Sequence, residues 1–127
     1  MSVTFKMVAK QNSLATPPEI NYYPCAVHQG AETLETLAQR ISAGTSLTEA
    51  DCFGVMYALT NAIGDALASG KIVRIDSLGT FQLTIQGQPA PAAEVKGKQY
   101  IKGNRVVFKP SKRLKNYLNR VDYQQKK

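Results

Sequence analysis

Eleven cations and one acid share the last quarter of the chain: Lys96, Lys98, Lys102, Arg105, Lys109, Lys112, Arg113, Lys115, Arg120, Lys126 and Lys127 against Asp122. From Met1 to Val95 there are five, Lys6, Lys10, Arg40, Lys71 and Arg74, against eight acids. The first three-quarters is therefore mildly acidic, and the net charge of +7 arises wholly at the C-terminal end. Lysine and arginine hold their charge at neutral pH, so such a cluster neutralises a polyanion and releases its counterions. Residues for other chemistry are scarce. His28 is the single histidine, no phosphate-binding glycine pattern occurs, and no Ser-His or Cys-His arrangement has a third member. No catalytic residue is expected. Cys25 and Cys52 lack CxxC spacing and read as reduced, buried apolar residues, and Cys25 and His28 fall on opposite faces of an extended segment. Neither a metal nor a cofactor is expected.

At 127 residues, 43% hydrophobic and 20% charged, the chain suits one structural domain with a folded core. No segment has the roughly 18 to 20 apolar residues that a membrane span needs, and MSVTFKMVAKQNS has no apolar stretch of signal-peptide length, so a cytoplasmic location is expected.

The elements that position the cations follow from periodicity. Val3, Phe5 and Met7 alternate with Thr4 and Lys6, which predicts a strand. Gln11 to Glu19 reads as a loop, and Ile20 to His28 as an extended segment, able to pair antiparallel with the first, that Pro24 assigns to an edge. Leu34, Leu37, Ala38 and Ile41 have helical spacing, ending near Gly44. A second helix starts at Ser46 with Glu49 or at Thr48 with Asp51, runs through Phe53, Met56, Leu59, Ile63 and Leu67, and stops at Gly70. Phe53, Met56 and Tyr57 are read as core or dimer interface. Lys71 to Ile75 and Thr80 to Ile85 predict two strands about a turn at Asp76 to Gly79, with Phe81, Leu83 and Ile85 on the buried face. Gln86 to Gly103 reads as a loop or mobile arm, with a turn of helix between Ala92 and Lys96. Arg105 to Lys109 forms a short strand, and Pro110-Ser111 opens a last helix whose apolar face is Leu114, Tyr117, Leu118 and Val121. Gln124 to Lys127 is a biased tail.

Three local sequences within this order carry a resemblance. Leu67 to Phe81, with a helix ending at Gly70 and a turn reading Gly79-Thr80-Phe81, resembles the corresponding passage of the HU/IHF family. Val107-Phe108-Lys109-Pro110-Ser111-Lys112-Arg113-Leu114-Lys115 is similar to that family's Phe-Lys-Pro-Gly-Lys-x-Leu-Lys segment, and Thr48-Glu49-Ala50-Asp51 matches its helix start. The resemblance covers roughly Glu32 to Val121. The strands before Gly30 resemble those of a divergent, HU-related branch of Bacteroides-type bacteria.

The resemblance implies an α+β, IHF-like fold: a helix hairpin, a small antiparallel sheet and a C-terminal helix, with extra N-terminal strands. Residues 1–30 would be an extension packed on the core and 31–127 the DNA-binding domain. It further implies an intertwined homodimer that binds double-stranded DNA without sequence specificity, as a nucleoid-associated, histone-like protein that condenses DNA. On charge and resemblance together, the expected contacts are Lys98, Lys102, Arg105, Lys109, Lys112, Arg113 and Lys115, with backbone amides near Ser111 and Lys112. Arg74 and the turn Ser77-Leu78-Gly79 are implied by the family alone. The segment between Ile85 and Arg105 is shorter than the family's arm and lacks its Arg-Asn-Pro-x-Thr-Gly tip. Pro89 and Pro91 have no cation between Gln86 and Val95, so strong kinking by a proline wedge is not expected. Two alternatives are a dimerisation or protein-interaction module of the same fold and a single-strand binder using Tyr22, Tyr23, Tyr100, Tyr117 or Tyr123. No membrane or small-molecule partner is expected.

Overall fold

The computed structural model describes residues 1–12, 14, 17, 19–93 and 95–127, with only the backbone of Asn12. In chain order the elements are β1 (Ser2–Asn12), β2 (Glu19–Ala26), α1 (Leu34–Ala43), α2 (Glu49–Ala68), β3 (Val73–Ile75), β4 (Gly79–Gly87), a 3-10 turn (Gly97–Tyr100), β5 (Ile101–Pro110), α3 (Lys112–Leu118) and β6 (Asp122–Gln125). This is the expected α+β composition. The loop expected from Gln11 to Glu19 and the helical turn expected from Ala92 to Lys96 lie partly outside the described residues, although Gln11 and Glu19 themselves belong to strands. No described helix is long and apolar enough to cross a membrane.

The chain forms two compact units, Met1–Glu32 with Tyr117–Lys127, and Thr33–Asn116. In the first, β2 pairs antiparallel and β6 parallel with the central strand β1. The Val27 N–H donates to the Thr4 carbonyl at 2.7 Å, which sets the phase of the β1–β2 ladder. Pro24, opposite Met7, consequently occupies a non-hydrogen-bonded pair, and its missing N–H lies on the outer edge, where no ladder bond is lost. The edge position read from Pro24 is correct. The polar tail expected at Gln124–Lys127 is instead partly strand, because Asp122 to Gln125 lie alongside Ser2 to Phe5. Backbone pairing supplies what the tail's side chains do not.

In the second unit, α1 starts at Thr33, whose Oγ1 accepts from the Thr36 N–H at 3.3 Å while Thr36 Oγ1 accepts from the Thr33 N–H at 2.7 Å. Of the two candidate caps for α2, Thr48 is the one used, its Oγ1 accepting from the Asp51 N–H at 3.1 Å. At the far end the Gly70 N–H donates to Leu67 O and the Lys71 N–H to Ala66 O, each at 3.0 Å, with Gly70 at φ +81°. This cap consumes the Lys71 amide, so β3 begins at Val73 and not at Lys71. Cys52 is buried, as expected, but Cys25 is only half-buried because β2 is an edge strand.

The sheet order is β3-β4-β5, with Phe81 opposite both Val73 and Phe108. The Phe81 and Phe108 rings lie 4.9 Å apart at 45°. β5 is ten residues long where five were expected, so the two ends of the expected arm, Gln86-Gly87 and Ile101 to Gly103, are strand in a ribbon of β4 and β5. Its apolar period is broken by Gly103 and Asn104, yet the ladder needs only backbone groups. α3 ends at Leu118, leaving Val121 outside the helix, where its N–H donates to Leu118 O in a tighter i to i−3 bond.

Gly79 is a steric necessity. It has φ +154°, and a Cβ there would stand 2.3 Å from the Lys109 carbonyl oxygen and 2.7 Å from the Phe108 ring. Gly79→Ala should cost about 2 kcal/mol or more, read as a lower urea midpoint, and an unchanged midpoint would refute the close approach.

Candidate functional site

The register of the second sheet sorts its side chains. Val73, Phe81, Leu83, Ile85, Val106 and Phe108 share one face, and Arg74, Thr80, Gln82, Thr84, Gln86, Arg105 and Lys109 the other. Arg74, Thr80 and Lys109 lie in one row across the three strands. Strand spacing separates the two cations of that row by roughly 10 Å, and Arg105 lies roughly 13 Å from Lys109 along β5.

A bulge interrupts the ladder beyond this row. Gln86 pairs with Gly103 but Gly87 with Ile101, so Lys102 is an extra, exposed residue. Its insertion shifts the phase, so that Ile101 joins the apolar face. With its amide oxygen toward Arg105, Gln86 accepts from Nε at 3.3 Å and Nη2 at 2.8 Å. The guanidinium is held upright on the polar face by a neutral partner that leaves its charge intact. Thr84 Oγ1 donates to the Arg105 carbonyl at 3.3 Å.

The base of the ribbon is joined to α3. Leu78 N–H donates to Ile75 O at 2.9 Å, closing the turn, and Leu78 O accepts from the Ser111 N–H at 2.9 Å. Ser111 Oγ accepts from the Leu114 N–H at 3.1 Å, so Ser111 caps α3. The Ser111 amide expected to meet an anion is thus already committed, and the residue's role here is to fix the helix start. Lys112 and Lys115, three apart, share a side of α3, with Arg113 beside them. Lys98 lies in the 3-10 turn beyond the bulge.

The structure therefore aligns Arg74, Arg105 and Lys109 on one sheet face, sets Lys102 at the bulge and Lys112, Arg113 and Lys115 on the following helix, and leaves Lys98 toward the ribbon tip. All eight cations are exposed, and none is ion-paired among the described residues. The charge of this unit is also polarised. Thr33 to Ile72 carries Glu35, Glu49, Asp51 and Asp65 against Arg40 and Lys71, while Val73 to Asn116 carries nine cations against Asp76 and Glu94. The ordering role of Gln86 was not found from sequence. Even spacing of Gln82, Thr84 and Gln86 was the available signal, but it needs the register to point it at Arg105.

Among the described residues no carboxylate, histidine or cysteine lies in this row, and no group of three metal-ligating side chains occurs. What this face can do is hold a row of negative charges against a flat polar surface.

A family model described as an HU domain fused to a wHTH, Ig or glycine-rich motif matches residues 1–125. A crystal structure of a Bacteroides vulgatus ATCC 8482 protein, described as a candidate DNA-binding protein, is similar with TM-score 0.72 and 13% identity, over 99% of this chain and 50% of that one. This chain thus spans half the length of that relative. Anabaena HU, in a cocrystal with DNA, is similar with TM-score 0.50 and 18% identity, over 70% of this chain and 99% of that one. At these identities the likeness establishes the fold. No curated protein sequence matches.

Replacing Arg105 and Lys109 together by alanine should lower the salt concentration at which the protein leaves a heparin column. The urea midpoint should stay within about 0.5 kcal/mol of the parent, since both side chains are exposed. Unaltered retention would show that this face does not meet the polyanion.

Proposed function

The chain belongs to the family of HU domains fused to wHTH, Ig or glycine-rich motifs, and from that premise we propose that it binds double-stranded DNA, without sequence specificity, as a histone-like architectural protein. The observation that carries this reading is the row Arg74, Arg105 and Lys109 on one face of the β3-β4-β5 sheet, with Lys102 at the adjoining bulge. DNA presents one phosphate charge per roughly 1.7 Å of axis, so cations roughly 10 to 13 Å apart on a rigid ladder find phosphates in any sequence. Lys112, Arg113 and Lys115 extend the contact, and Lys98 meets the backbone farther along the ribbon. Such contacts position a protein and carry no base information. The reading is of binding without catalysis, in the cytoplasm on the nucleoid, where condensation follows from charge neutralisation. Pro89 and Pro91 are exposed but have no cation within two residues, so wrapping or bridging is favoured over a sharp kink.

A homodimer is part of the same reading. The chain alone exposes 10791 Å². A folded monomer of 13.9 kDa exposes roughly 6,700 Å², and even the two units as separate bodies would expose roughly 8,000 Å². The excess is of the order that an obligate dimer buries per protomer. It has an apolar source in α2, where Phe53, Val55, Tyr57 and Leu59 are 36%, 67%, 57% and 46% exposed. Apolar residues cover that helix on nearly every side, as in a helix meant for burial.

Titrating binding to a random-sequence duplex against salt tests the DNA reading. Micromolar or tighter binding at low salt is expected, with a steep negative log–log slope that Arg105→Ala makes shallower by about one. Absence of binding at low salt would sink the reading. Sedimentation equilibrium should give twice the chain mass, and a folded monomer at micromolar concentration would overturn the dimer.

A further inference from the structure

The first unit carries an incomplete sheet, independent of the DNA reading. The central strand β1 is covered on one side by β2 from Phe5 to Asn12, but on its other side β6 accompanies only Ser2 to Phe5. The ladder phase fixed by the Val27–Thr4 bond turns the odd-numbered backbone groups of β1 toward the β6 side. Two bonds agree with this: Lys126 N–H donates to Phe5 O at 2.8 Å and Asp122 N–H to Met1 O at 3.3 Å. Beyond Phe5, the N–H and C=O groups of Met7, Ala9 and Gln11 look outward along an edge of roughly 17 Å with no strand beside it among the described residues.

The two faces flanking this edge differ chemically. On the odd face, Val3, Phe5, Met7, Pro24, Ala26 and Tyr123 line a cleft of about 460 Å³ that is almost wholly apolar. On the even face stand the exposed Lys6 and Lys10, the latter with Nζ 5.5 Å from the Tyr23 ring centroid. Lys126 and Lys127 follow the end of β6, where the open stretch starts.

We propose that the open edge of β1 at Met7–Gln11 is a docking site for an extended acidic segment of another protein, which adds as a strand beside β1. Its alternate side chains serve both faces: apolar ones enter the cleft, and aspartate or glutamate meets Lys6 and Lys10. Main-chain bonds to Met7, Ala9 and Gln11 give affinity, while the two faces set the pattern. Charge complementarity selects this occupant over a second copy of the chain. Antiparallel self-pairing of β1 about Ala9 would set Lys10 opposite Val8 of the copy and diagonal to its Lys6, within reach of two long side chains, so like charges oppose the pairing. The other edge of the sheet is already closed to strand addition, since Pro24 has no outward N–H.

The test uses the full chain and a fluorescein-labelled octapeptide of alternating valine and glutamate. Three comparators accompany it: the same residues in block order, the alternating peptide with its inward-facing amides N-methylated, and alternating valine and lysine. Binding of the alternating acidic peptide on the order of tenfold tighter than each comparator supports the site. Equal binding of the block peptide reduces the effect to net charge and overturns it, as does no binding of any peptide or indifference to N-methylation. Ala9→Pro removes only an outward N–H and should abolish binding while circular dichroism is retained. If that variant fails to fold, the N-methylated peptide still decides. If light scattering shows a higher oligomer that Ala9→Pro dissolves, the edge serves self-association and the acidic-segment proposal is wrong.

Discussion

Everything in the cation-bearing unit hangs on the register between β4 and β5. Phe81 opposite Phe108 and Gly79 opposite Pro110 fix it, the first by ring contact and the second by a backbone approach too close for any side chain. A slip of one residue would exchange the two faces of β5, burying Arg105 and Lys109 and exposing Phe108 further. The place where the phase does change along β4 and β5 is the bulge at Lys102, and there the change brings Ile101 to the apolar face. Charge and hydrophobic burial are thus set by the same hydrogen-bond ladder.

The helices place a second demand on the molecule. Among described residues only Ala38, Cys52 and Leu67 form the buried hydrophobic core, too little to offset the conformational entropy of ordering a chain of this length. On the proposed reading, association supplies the missing burial: the apolar surface left over by one copy would be the core of two, and the sheet would be left to meet the polyanion.

Much of this was legible in the sequence where local patterns are strong. The helix hairpin, its end at Gly70 and the edge position of Pro24 follow from periodicity and from residues with few conformational options. The cap of α2 could be narrowed to Ser46 or Thr48 but not chosen, because both offer a hydroxyl at the same spacing from an acid. The ends of the expected arm, Gln86-Gly87 and Ile101 to Gly103, were missed as strand because they are held by backbone pairing and not by an apolar stripe. β6 was missed for the same reason, its polar residues gaining a place only through a partner strand at the other end of the chain. For the site, clustering of charge was visible but its sorting was not. Arg74 comes to the row of Arg105 and Lys109 through pairings about thirty residues distant in sequence, and the position of Lys102 depends on a bulge that no local motif marks.

The parallel pairing of β6 with β1 has a consequence in time. Ser2 faces Asp122, so β1 completes its sheet only once the roughly 120 residues between them have been made. At cellular elongation rates that interval is on the order of ten seconds. During it β1 and β2 stand as a lone hairpin, a form marginal in water, while the second unit, whose pairings are closer in sequence, can already fold. The β2-β1-β6 sheet therefore forms after the second unit, and its assembly reports that translation has passed Asp122.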